Sequence, residues 1–78
     1  QGVLETTRDI TIYPNPASMI LNVQAPVEAI TSLYNAFGQL VVVGTTDKTI
    51  DLSQLSNGVY EVVIEYNGII INKKIIKS

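Results

Sequence analysis

Asn67-Gly68, set between two β-rich runs, constrains this chain more than any other pair of residues. A type I′ hairpin turn needs φ > 0 at both central positions, which Asn and Gly tolerate, so the pair predicts two tightly joined antiparallel strands. A two-residue turn sets Tyr66 opposite Ile69, Ile64 opposite Ile71 and Tyr60 opposite Ile75. Side chains alternate along a strand, so Tyr60, Val62, Ile64 and Tyr66 share one face with Ile69, Ile71 and Ile75; that face is the expected core. Glu61 falls opposite Lys74 on the other face, a cross-strand charge pair worth about a few tenths of a kcal/mol. Lys73 shares the core face, and is expected near a sandwich end with its stem buried and its ammonium in water. A three-residue turn would bring Asn72 and Lys74 inward instead, which fits less well.

The rest of the chain repeats the theme of short strands and turns. Gln1 to Asp9 is polar and aperiodic and reads as a linker or leader, with the folded domain expected over residues 10 to 78. Ile10 to Tyr13 is a first strand, stopped by Pro14-Asn15-Pro16, since neither proline donates to a ladder. Either X-Pro bond is open to the cis form. Met19 to Val23 is a second strand, broken at Pro26. Ile30, Leu33, Tyr34 and Phe37 have helical spacing, but β-branched and aromatic residues over Ile30 to Tyr34, between neighbouring strands, favour a strand. Asn35-Ala36-Phe37-Gly38 is a turn in which Gly38 supplies φ > 0. Gln39 to Thr45 is a Val-rich strand with Gly44 at a bulge or bend. Thr49 to Leu52 is a short strand leading into an irregular connection capped by Asp51 or Ser53. Ser56-Asn57-Gly58 turns the chain into the hairpin. About seven short strands with regular turn signals predict an all-β fold, an immunoglobulin-like antiparallel sandwich.

Composition narrows the function. Seventy-eight residues make one small domain with a single modest core. No cysteine is present, so no disulfide or thiolate chemistry is available, which leaves the compartment open. No stretch approaches the length of a transmembrane helix, and no basic start leads into an apolar segment as in a signal peptide. The start at Gln1 rather than Met is read as that of a piece of a longer protein. A net charge of −2 argues against nucleic-acid binding. Its distribution is uneven: residues 1 to 72 carry two cations and seven acids, a net of −5, and Lys73, Lys74 and Lys77 add +3. Lysines guarding an edge strand explain this blandly, and a basic tag offered to a partner is compatible with it.

Catalysis finds little support in the residues. Histidine is absent, so no Ser-His-Asp or Cys-His arrangement forms. Glu61 and Glu65 share a strand face but stand roughly 13 Å apart, too far to act as a pair. Zinc lacks its usual ligands, and the Asp47, Asp51 and Ser53 group reads better as turn and cap residues than as a calcium site. No Gly-rich phosphate loop exists, and no cofactor is expected. Tyr13, Tyr34, Tyr60 and Tyr66 would form a sugar-stacking platform only if coplanar and exposed; rim-anchored core tyrosines are the simpler reading. A binding or targeting module is expected, not an enzyme.

A set of landmarks in order goes further. Tyr13-Pro14-Asn15-Pro16-Ala17 is followed by Leu21-Asn22-Val23, then Leu33-Tyr34-Asn35-Ala36-Phe37-Gly38-Gln39-Leu40-Val41 and Ile50-Asp51-Leu52-Ser53-Gln54-Leu55. Asn57-Gly58-Val59-Tyr60 and Lys73-Lys74-Ile75-Ile76-Lys77 complete it. Over about residues 10 to 78 this resembles the type A C-terminal sorting domain of proteins exported by the type IX (Por) secretion system of Gram-negative bacteria. Each motif alone is turn-and-strand chemistry; their order and spacing together are specific. The resemblance implies an address at the C-terminus of a larger passenger, which crosses the inner membrane by its own signal and folds in the periplasm. The domain then directs it to the outer-membrane translocon and its shuttle protein. By the same resemblance, a surface sortase would remove the domain and join the passenger to lipopolysaccharide, so that it would end at the outer membrane, on the cell surface or outside. The cut would fall in or before Gln1 to Asp9. Lys73, Lys74, Ile75, Ile76, Lys77 and Ser78 match the segment that the family needs for export. Pro14, Asn15, Pro16, Gly38, Gly58 and Tyr60 match its other motifs and are read as mainly structural. The exposed last edge predicts dimerisation or strand swapping at high concentration. The rival readings are a FlgD-like or fibronectin-like spacer, whose usual Trp-Asp-Gly turn is absent here, and a carbohydrate-binding module of an extracellular enzyme.

Overall fold

The hairpin forms as its sequence dictates. In this computed structural model, which describes residues 10–14, 17–25 and 27–78, Asn67 and Gly68 take φ of 50° and 75°. They join β6 (Gly58–Tyr66) to β7 (Ile69–Lys77) in the two-residue register, Tyr66 facing Ile69, Tyr60 facing Ile75 and Glu61 facing Lys74. Tyr60, Val62, Ile64, Tyr66 and Ile75 are buried, and Ile69, Ile71 and Lys73 are half-buried on the same face. The expectations for Gln1 to Asp9, Asn15, Pro16 and Pro26 lie outside the described residues.

Five shorter strands precede the hairpin: β1 (Thr11–Tyr13), β2 (Ile20–Gln24), β3 (Ile30–Tyr34), β4 (Leu40–Thr45) and β5 (Thr49–Asp51). No helix occurs among the described residues. The strands pair antiparallel in two sheets, ordered β1-β2-β5 and β4-β3-β6-β7, consistent with an immunoglobulin-like sandwich. The stretch around Leu33 is a strand because its alternation has a buried side to serve: Thr31 and Leu33 face inward against Ile64 and Val62, and Ile30 faces out.

The core lies between the sheets. Leu21, Val23, Ile50 and Leu52 come from the three-stranded side, and Leu33, Val62, Ile64 and Ile75 from the four-stranded side. Thr31 is the misfit: its hydroxyl is buried with no hydrogen-bond partner. The β3–β4 ladder shifts register twice, and Gly44 lies in the shift between the Leu33–Val42 and Thr31–Thr45 pairs, as a bulge glycine should. A Cβ there would sit 2.8 Å from Ile30 Cγ2 and 3.2 Å from Ser32 Oγ. Asp51 accepts a hydrogen bond from the Ser53 amide at 2.9 Å and turns the chain out of β5.

Candidate functional site

Of the described residues matched to family motifs, the tail, Gly38, Gly58 and Tyr60 belong to the four-stranded sheet and its turns, and Pro14 follows β1 of the other sheet. Alternation along β7 divides the tail. Lys73, Ile75 and Lys77 face inward, and Lys74 and Ile76 face out, with Ile76 49% exposed. Lys73 is half-buried on the core face, but it lies at the middle of β7 opposite Val62 and not near a sandwich end as expected; its place on the last strand of the sheet is what leaves it partly exposed. Ile75 is fully buried opposite Tyr60. Lys77 is buried too, and its Nζ donates to Asn57 Oδ1 at 3.3 Å. Ser78 is exposed, but its backbone is engaged.

That engagement involves a third element. Ala17 makes a parallel bridge to Lys77: the Ala17 amide donates to the Ile76 carbonyl at 2.8 Å, and the Ser78 amide donates to the Ala17 carbonyl at 2.9 Å. The sequence reading expected an open edge along the whole tail. The edge of β7 is instead occupied at Ile76 to Ser78, by Ala17. Physically, the bridge pairs backbone groups that would otherwise template aggregation. Pro14 itself is exposed after a cis Tyr13-Pro14 bond.

The remaining motif residues support the same corner. Gly58 stands opposite Lys77 in the ladder with φ of 152°. Tyr60 is buried, and its hydroxyl donates to the Ser56 carbonyl four residues upstream, a tyrosine-corner arrangement that pins the entry into β6. Gly38, with φ of 82°, closes the β3–β4 turn; a residue with a Cβ resists that conformation. The turn borders a groove of about 540 Å³ that also touches Val59, Tyr60, Glu61, Lys73 and Lys74.

Among the described residues no three His, Cys, Asp or Glu side chains lie close enough to hold a metal ion. Asp51, on the opposite sheet, has its carboxyl held below the usual range by hydrogen bonds from the Ser53 amide and hydroxyl. The four tyrosines form no common platform, since Tyr60 and Tyr66 are core residues and Tyr13 is 47% exposed on the other sheet. Three contributors escaped the sequence reading. Ala17 and Asn57 act through partners about sixty and twenty positions away. The sequence reading places Phe37 in a turn and in one of the family landmarks without giving it a role of its own, although an aromatic in a polar turn is itself a signal.

The fold defines a class: a small all-β domain of two antiparallel sheets, consistent with an immunoglobulin-like sandwich. The sequence profile for the secretion system C-terminal sorting domain matches residues 11–78, nearly the whole chain. The chain therefore belongs to that family, the C-terminal sorting domains of type IX secretion, and the passenger it serves is a secreted or cell-surface protein. Comparison with curated proteins returns no match.

Proposed function

We propose that this domain acts as an address rather than a catalyst, and that its tail strand is the part read by the translocon and its outer-membrane shuttle protein. The passenger folds in the periplasm, is carried across the outer membrane, and is released from the domain by a surface sortase that joins it to lipopolysaccharide. The observation that carries this reading is the profile match together with a lysine-rich strand held at one sandwich corner. Lys73 and Lys74 offer the charge for recognition, and Ile75, Ile76, Lys77 and Ser78 hold them in place. Along Ile69 to Lys74 the last edge of the sheet also supports pairing with an added strand or a second copy, a state that light scattering at millimolar protein would detect.

Deleting Lys73 to Ser78 would block export, but it also removes core residue Ile75 and the Ala17 bridge. A cleaner test keeps the fold. Residues 1 to 78 are fused to a periplasmically targeted fluorescent protein in a bacterium with a type IX system, beside a Lys73→Gln, Lys74→Gln double variant. The intact fusion should reach the surface or medium and the double variant should stay in the periplasm. Equal export of both, with equal melting midpoints, would remove the lysines from the address. Mass spectrometry of the exported passenger should find a new C-terminus in or before Gln1 to Asp9.

A further inference from the structure

Phe37 is 88% exposed, more than any other large hydrophobic side chain among the described residues. It is not on a loose loop. Asn35 Oδ1 accepts from the amides of Phe37 at 2.9 Å and Gln39 at 3.0 Å, and Asn35 Nδ2 donates to Gln39 Oε1 at 2.8 Å. The Asn35 amide donates to the Gln39 carbonyl, and the Gly38 amide to the Asn35 carbonyl, both at 2.9 Å. An apolar ring on a free segment would fold back onto nearby Val59 and Leu55. Here the hydrogen-bonded turn holds it out.

The ring stands beside a second groove, of about 340 Å³, bordered by Ala36, Leu55 and Val59. That groove shares Asn35, Ala36, Val59 and Tyr60 with the one reaching Lys73 and Lys74. Knob, apolar floor and basic end thus lie along one surface. We infer that the Asn35–Gln39 turn is a second recognition element, in which Phe37 enters an apolar pocket of a receptor protein of the secretion machinery while carboxylates of that receptor meet Lys73 and Lys74. This rests on the sorting function proposed above. Charge favours a protein over a lipid surface: the domain is net negative, which opposes approach to anionic headgroups, and the turn carries no basic residue. A rigidly presented aromatic is the usual form of a binding anchor, because little side-chain entropy is lost on docking.

The test is export of the fluorescent fusion carrying Phe37→Ser or Phe37→Tyr, with melting midpoints of the purified fusions measured alongside. The serine variant should keep the midpoint and lose export about tenfold or more, as for a central anchor; the tyrosine variant should retain most of it. Export of Phe37→Ser at the unsubstituted level overturns the inference, and so does a lowered midpoint, which would make the ring a packing residue. Phe37-dependent co-sedimentation with phosphatidylethanolamine/phosphatidylglycerol vesicles would assign the knob to lipid and overturn the receptor. Failure of the unsubstituted fusion to leave the periplasm would instead overturn the sorting function itself.

Discussion

Ile75 and Ile76 are neighbours in sequence with opposite surroundings, and replacing each by alanine measures whether the tail is part of the fold. Ile75 is 0% exposed, facing Tyr60 across the sheet, whereas Ile76 is 49% exposed on the outer face. Ile75→Ala removes three carbon groups from the core, about 2.4 kcal/mol of transfer free energy at about 0.8 kcal/mol per group. The unfilled cavity raises the cost to about 3–4 kcal/mol. A domain of this size is stable by roughly 4–12 kcal/mol, so the variant loses a large fraction of its margin. Ile76→Ala should cost under about 1 kcal/mol, since water already covers much of the side chain and its bridge to Ala17 is made by backbone. Urea denaturation of both variants, compared at a common slope, gives the difference directly. Equal costs would show that the tail does not sit in the sheet. A reversed order would show a one-residue slip, because such a slip exchanges the two faces.

Thr31→Val replaces a buried, unpartnered hydroxyl with a methyl of the same shape. It should stabilise by about 1 kcal/mol, which thermal melting would read as roughly 4–8 °C. Gly44→Ala places a Cβ against Ile30 Cγ2 and should destabilise by about 1 kcal/mol; adding Ile30→Ala should relieve the clash in a double-mutant cycle. The Asp51 carboxyl is held below its unfolded value, so its stabilisation is present above about pH 4 and is lost as pH falls through the folded value. Acid titration of stability in Asp51→Asn should therefore fall less steeply below pH 4 than in the unsubstituted domain.

Local chemistry made the hairpin legible, since Asn67-Gly68 and the alternation from Tyr60 to Ile71 require no distant information. The Gly38 turn, the Gly44 bulge and the inward face of Lys73 were readable for the same reason, whereas the place of Lys73 at the middle of β7 was not expected. Helix against strand at Ile30 to Tyr34 was harder, because short apolar periods fit both, and the neighbouring strands decide it through Val62 and Ile64. The division into β1-β2-β5 and β4-β3-β6-β7 depends on pairings between distant segments that composition does not encode. The same holds at the candidate site. The lysine-rich tail stands out in sequence, but its burial at Lys77 and its Ala17 neighbour are long-range products of folding. Thr31 reads as an ordinary strand residue, and only packing reveals that its hydroxyl is stranded.

The Ala17 bridge and the buried Ile75 bear on the timing of synthesis. A ribosome makes Ala17 long before Ile76 and Ser78, so the amide and carbonyl of Ala17 wait for partners until the chain has been made past Ser78. A polypeptide that stops early lacks the Ile75 side chain in its core and the lysines on its corner together. The residues that shape this surface are those that complete the sheet. On the function proposed above, display of the address depends on translation to the end of β7.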